Sequence, residues 1–157
     1  MSYKRLRNAL LISAFAVSLS LGSATIYAEE STEAATEAAD SAETHIVKDY
    51  FDREVEIPVN LTKVAVCDSY NMECINVLGA VDTVAGVDSF IANDTEAWGR
   101  VFTQDETISN DNDEVNYEAV VNMGCQLFIT SECYDYQTAI DQLEPFGIKV
   151  VVCKAYD

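Results

Sequence analysis

Three short polar clusters each follow an apolar run, and each carries an aromatic ring: Asp68-Ser69-Tyr70, Asp88-Ser89-Phe90 and Thr130-Ser131-Glu132-Cys133-Tyr134. Rings at Tyr70, Phe90 and Tyr134, with Trp98 a little further along, suit contact with a flat or aromatic ligand. The hydroxyls of Ser69, Ser89 and Ser131, and the N-termini of helices that begin near them, suit anionic groups. Binding sites use few polar groups, so a competing reading makes Asp68 and Ser69 plain helix caps and Tyr70 rim packing.

Catalytic chemistry finds no matching pattern. His45 is the single histidine and lies just after a spacer-like stretch, which leaves no partner for a Ser-His or Cys-His pair. No Gly-x-Ser-x-Gly elbow, phosphate loop or Gly-x-Gly-x-x-Gly is present. The five cysteines, Cys67, Cys74, Cys125, Cys133 and Cys153, form no Cys-x-x-Cys pair, so a zinc site has little support. Cys67, Cys125 and Cys153 lie in or beside apolar runs and read as small core residues. A nucleophilic Cys133 or Cys125 would need a basic neighbour, and the sequence shows none. The acids between Asp105 and Glu114 lack the spacing and fixed glycine of a calcium loop and read as a solvated segment.

The elements that would carry these clusters alternate. Val47–Tyr50 and Val55–Pro58 flank Asp52-Arg53 as a small hairpin. Lys63–Cys67, Thr83–Val87, Gln126–Thr130 and Lys149–Cys153 read as buried strands, the last with Val150-Val151-Val152 continuously apolar. Between them lie helical patterns. One follows Asp68 or Ser69, repeats Met72, Ile75 and Leu78, and ends at Gly79. A second spans Tyr117–Met123 and closes at Gly124. A third spans Tyr136–Phe146, turns Ile140, Leu143 and Phe146 inward, and stops at Gly147. Ser89–Val115 is polar and reads as irregular. Strands separated by helices predict an α/β, Rossmann-like domain, with a mainly parallel four-stranded sheet flanked by helices and preceded by the hairpin. Ligands of such sheets sit beyond the carboxyl ends of the strands, where the three clusters fall.

Charge narrows the partners. The chain has 157 residues and a formal net charge of −18. No acid precedes Glu29, and from there six bases face 27 acids, a net of −21. Such a surface repels phosphate backbones, so nucleic acid is an unfavourable partner. Residues 1–28 read as an export signal: Lys4, Arg5 and Arg7, then the apolar run Ala9–Leu21, then small residues ending in Ala28. The uncharged stretch Ala9–Ala28 also suits an uncleaved anchor. Residues 29–44 hold Glu, Ser, Thr and Ala with no aromatic residue and read as an acidic, disordered spacer. The folded part is expected over residues 45–157.

Four stretches together resemble the first lobe of the ABC-transporter substrate-binding proteins for iron–siderophores, haem and cobalamin. They are Asp49–Pro58; Lys63–Asp88 with its Leu78-Gly79 and Val84-Ala85-Gly86-Val87-Asp88; Asn116-Tyr117-Glu118 through Leu127-Phe128-Ile129; and Gln142–Val152 with Phe146-Gly147. Cys125-Gln126 stands where that family has Pro-Asp. The resemblance implies an extracytoplasmic binding protein without enzymatic activity or cofactor. Its implied partners are a small metal chelate or macrocycle and the permease subunits in the membrane. It further implies that Glu118, in the Asn-x-Glu motif, docks on the permease by pairing with an arginine; an ordinary solvated first-turn Glu is the alternative. The family's second lobe and linking helix have no counterpart in these residues, so the chain reads as one lobe of two. A secreted or anchored interaction domain without a transport role is the rival reading.

Overall fold

The computed structural model describes residues 43–109 and 114–154, all within one compact unit, Ala38–Asp157. The export signal and all but the end of the acidic spacer lie outside the described residues, as do residues 110–113 of the acidic segment.

Short apolar runs build the central sheet. Strands β3 (Val64–Val66), β4 (Val84–Val87), β5 (Leu127–Ser131) and β6 (Lys149–Cys153) are all parallel and stand in the order β4-β3-β5-β6. Alternate side chains go to opposite faces, and both faces are covered. Val64, Val66, Val84 and Leu127 join Met72, Ile91, Trp98 and Phe102 in one core. Ala65, Cys67, Phe128 and Val150 join Val120, Ala139, Leu143 and Ile148 in the other. The first core packs α1 (Ser69–Val77) and the short α2 (Ser89–Asn93), and the second packs α3 (Tyr117–Asn122) and α4 (Tyr136–Leu143). This is the α/β architecture expected from the sequence.

Both sheet edges are closed. Strands β1 (Thr44–Lys48) and β2 (Glu54–Pro58) form an antiparallel hairpin whose first strand begins one residue before the range expected to fold. At its turn, Asp49 accepts from the backbone of Phe51 and Arg53 and pairs with the Arg53 guanidinium. Tyr50 N–H donates to Val152 O at 2.8 Å and Arg53 donates to Val150 O at 3.2 Å, so the hairpin caps the free edge of β6. On the other edge, Ile108 N–H donates to Val87 O at 2.8 Å, and Thr107 bridges to Val87.

Leu78 caps α1 and is 79% exposed. Three sequence expectations need correction. Phe146 is 66% exposed. Pro145 has no N–H to continue α4, so Glu144–Phe146 tightens into a 3₁₀ turn that swings Phe146 outward. The segment after Ser89 is not wholly irregular, since it holds α2 and a 3₁₀ turn at Gln104–Glu106. Trp98, read as a ligand contact, is buried in the core and donates its indole N–H to Ile91 O at 3.0 Å.

Gly86 shows how tightly the sheet is covered. A Cβ there would meet Ile108 Cγ2 and Met123 Sδ, each at 2.8 Å. Overpacking of this kind costs about 1–3 kcal/mol. Gly86→Ala is therefore expected to lower the unfolding free energy by that amount, seen as a lower urea midpoint with the slope unchanged.

Candidate functional site

A parallel sheet whose chain starts in the middle must send its connections in opposite directions. Here β3 leads outward to β4, and the chain then returns past β3 to β5, so the switch lies between β3 and β5. The loops diverge at their carboxyl ends, and a cleft forms between them.

Carboxylates tie this end together. Asp68 follows β3 and caps α1, with Oδ1 accepting from Tyr70 N–H at 2.9 Å. Its Oδ2 accepts from Ser131 Oγ at 2.8 Å, across the switch point. Asp88 follows β4 and caps α2, with Oδ1 accepting from Ile91 N–H at 2.9 Å. Its Oδ2 accepts from Asp68 N–H at 2.6 Å and from the Tyr134 hydroxyl at 3.3 Å. Asp135 caps α4 by accepting from Thr138 N–H and Oγ1. Asp68 has φ +83°, a conformation that costs an L residue roughly 1–3 kcal/mol unless its surroundings impose it. Its anchored N–H and both anchored carboxylate oxygens impose it here.

Burial pushes the Asp88 carboxyl above its ordinary value. Its three hydrogen bonds oppose that push, and the neighbouring Asp68 charge adds to it. Asp135 is exposed at the mouth and is held below its ordinary value, first by the Thr138 N–H.

The cleft encloses about 500 Å³. Asp68 and Asp88 line it, together with Ser69, Tyr70, Phe90, Cys133, Tyr134 and Asp135. Of the residues expected from sequence, Ser69, Tyr70, Phe90 and Tyr134 come together there, with the rings of Tyr70 and Phe90 47% and 57% exposed. The other three are elsewhere. Ser131 is fully buried and serves Asp68, Ser89 gives its N–H to Ser109 Oγ at 2.9 Å, and Trp98 sits in the core. The lining adds Asp68, Asp88, Cys133 and Asp135, none of which was among the ligand contacts expected from sequence. The signal was available for Asp135, an Asp before a helical pattern on the same loop as Tyr134.

Glu118 lies exposed in the first turn of α3. It borders a shallow groove of about 290 Å³ that also takes in Tyr117, Val121 and the exposed Phe146. Burial holds the Cys125 thiol up at about 11, which leaves it protonated and a poor nucleophile at neutral pH. Among the described residues, no group of three or more His, Cys, Asp or Glu side chains is placed to hold a metal ion. Nor is any helix among them long and apolar enough to cross a membrane.

No family model and no curated protein matches the sequence. Solved structures do. A haem-binding protein, HmuT, aligns over 76% of this chain and 37% of its own, with a TM-score of 0.57 at 21% identity. The petrobactin-binding protein YclQ of Bacillus subtilis aligns over 70% of this chain and 37% of its own, with a TM-score of 0.54 at 19% identity. The molybdate periplasmic binding protein MolA of a Haemophilus influenzae ABC transporter aligns over 70% and 34%, with a TM-score of 0.54 at 18% identity. The likeness establishes the fold as that of a lobe of a periplasmic binding protein. This chain spans a little over a third of the length of those proteins.

Asp88 gives a direct test of this geometry. Asn at that position offers one acceptor oxygen where two separate N–H groups now point, so one N–H would face an NH₂. The loss is expected to be about 1–3 kcal/mol for Asp88→Asn in urea unfolding. The pH sign follows from the raised carboxyl. The native state holds the Asp88 proton to higher pH than the unfolded chain does, so its contribution to stability falls as pH rises above 3.8 through the folded value. The advantage of the wild type over Asp88→Asn should therefore shrink as the pH is raised above 3.8, read from paired urea midpoints.

Proposed function

We propose that this chain is the first lobe of an extracytoplasmic solute-binding component of an ABC importer, taking an iron–siderophore or a related metal chelate such as haem or a corrinoid. The observation that carries this reading is the cleft at the switch point, floored by strand ends and rimmed by Tyr70, Phe90 and Tyr134. Rings of this kind bind a flat or wrapped chelate through area, and a few polar groups fix its orientation. Proteins with this lobe bind haem, petrobactin and molybdate, and none of the three is named as an enzyme. The reading makes the export signal over residues 1–28 the route to the envelope and residues 29–44 a spacer.

A closed site buries most of its ligand between two walls, and this lobe supplies one wall. Affinity of the isolated chain is accordingly weak. Titration with haem, cobalamin and ferric siderophores is expected to give a saturable rise in melting temperature for one class. Tyr70→Ala or Phe90→Ala should then weaken that ligand by about three- to tenfold without loss of the fold. No stabilisation by any class would overturn the reading.

Glu118 is the proposed contact with the permease. An exposed rim charge orients docking on a basic partner, and nothing in the fold of α3 requires it. In cells carrying Glu118→Arg at the native gene, uptake of the ligand should fall at least about tenfold, equivalent to the loss of one strong charge contact, with protein abundance unchanged. Unchanged uptake would remove the docking role.

A further inference from the structure

Resting on the solute-binding reading, we infer that this wall of the cleft selects ligands bearing an organic cation, an ammonium or guanidinium group, over anionic chelates. Among the described residues, three carboxylates, Asp68, Asp88 and Asp135, line the cleft, and no Lys or Arg does. The hydrogen bonds that hold the two floor acids come from neutral donors: backbone N–H groups, Ser131 and Tyr134. They satisfy lone pairs and bring no positive charge to the cleft.

Among the described residues, the basic side chains lie elsewhere. Arg53 pairs with Asp49 at the hairpin, and Arg100 pairs with Glu106. Lys63 donates to Met123 O near the amino end of β3, and Lys149 opens β6 at the same end of the sheet. Lys48 closes β1. Lys154 alone follows the carboxyl end of a strand of the central sheet, on the edge strand β6, and it does not line the cleft.

Capping does not explain this acidity. Asn caps a helix as well as Asp does, and α3 uses Asn116, which accepts from Ala119 N–H at 3.0 Å and lies outside this cleft. The helices that open onto the cleft, α1, α2 and α4, all use Asp. Only Asp88 needs two acceptor oxygens for backbone donors. The rim supplies the second component, because the faces of Tyr70 and Phe90 carry negative quadrupole and attract a cation lying over them. Rings and carboxylates act with the same sign, favouring a positive group and repelling an anionic chelate. A bare metal ion is not the cation meant, since the described residues hold no ligand cluster for one.

The test uses one chelate in three charge states: a gallium(III) trihydroxamate with a terminal ammonium, the same chelate acetylated at that amine, and the same chelate succinylated to an anion. Gallium keeps the charge of the ferric complex and permits amide NMR titration of the chain to millimolar affinity. The ammonium form is expected to bind at least about tenfold tighter than the acetylated form, with the succinylated form weakest and the gap narrowing at high salt. Asp135→Asn keeps the cap of α4 and removes the charge, and Phe90→Leu keeps apolar bulk and removes the ring. Each should narrow the ammonium-to-acetyl ratio by about two- to fivefold. Equal binding of the three forms, or a preference for the anion, overturns the charge inference and leaves the solute-binding reading standing. If none of these forms, haem or cobalamin binds, both fall.

Discussion

One buried carboxylate holds the working end of this lobe together. Asp88 is 1% exposed and gives its two oxygens to three donors from three segments: Ile91 at the start of α2, Asp68 after β3, and Tyr134 in the loop before α4. A parallel sheet alone leaves its strand ends splayed, since its ladder bonds stop where the loops begin. The Asp88 carboxylate joins two of those ends, and Asp68 passes the connection on to Ser131 at the end of β5. The strained backbone of Asp68 is affordable only inside this network, and α1 starts where it does because Asp68 is held in that shape.

The rest of the fold supplies what the network needs beneath it. Two separate apolar cores grip the sheet from both faces, so strand spacing is fixed before the loops diverge. The hairpin lies along β6 and Thr107–Ile108 lies beside β4, so neither edge is left to pair with another chain. Gly86 lets Ile108 and Met123 approach β4 closely, which brings the segment after α2 back against the sheet. The cleft thus stands on a rigid floor, with exposed rings only at its rim.

How far the sequence carried this depended on whether a feature was local. Val64–Val66 and Val150–Val152 are legible as strands because a sheet buried on both faces must be apolar at consecutive positions. The helix start at Asp68 and the stops at Gly79, Gly124 and Gly147 follow from a capping side chain and from positive φ that glycine adopts freely. The failures are features that depend on a rotation or a neighbour. Phe146 keeps helical spacing from Leu143, but Pro145 changes the turn and with it the direction of the ring. Trp98 and Ser131 carry groups that suit a ligand, and whether such groups meet solvent or a buried acceptor is decided by tertiary packing. At the site, four of the seven expected residues gather because strand-end position is a topological property, while the direction of each side chain is not.

The acids at the mouth unite stability and selectivity unequally. Asp88 cannot be replaced by Asn without orphaning a buried N–H, so its carboxyl group is bound to the fold. Asp135 is exposed, and Asn would satisfy the same Thr138 N–H, so the fold does not require its charge. Asp68 stands between them: one oxygen caps α1, while the other meets a Ser131 hydroxyl that is able to donate or accept. A lobe that needed only helix starts could have filled two of these three positions with neutral residues, as it did with Asn116 at α3. Three acidic caps around one cleft therefore place negative potential where a ligand would arrive.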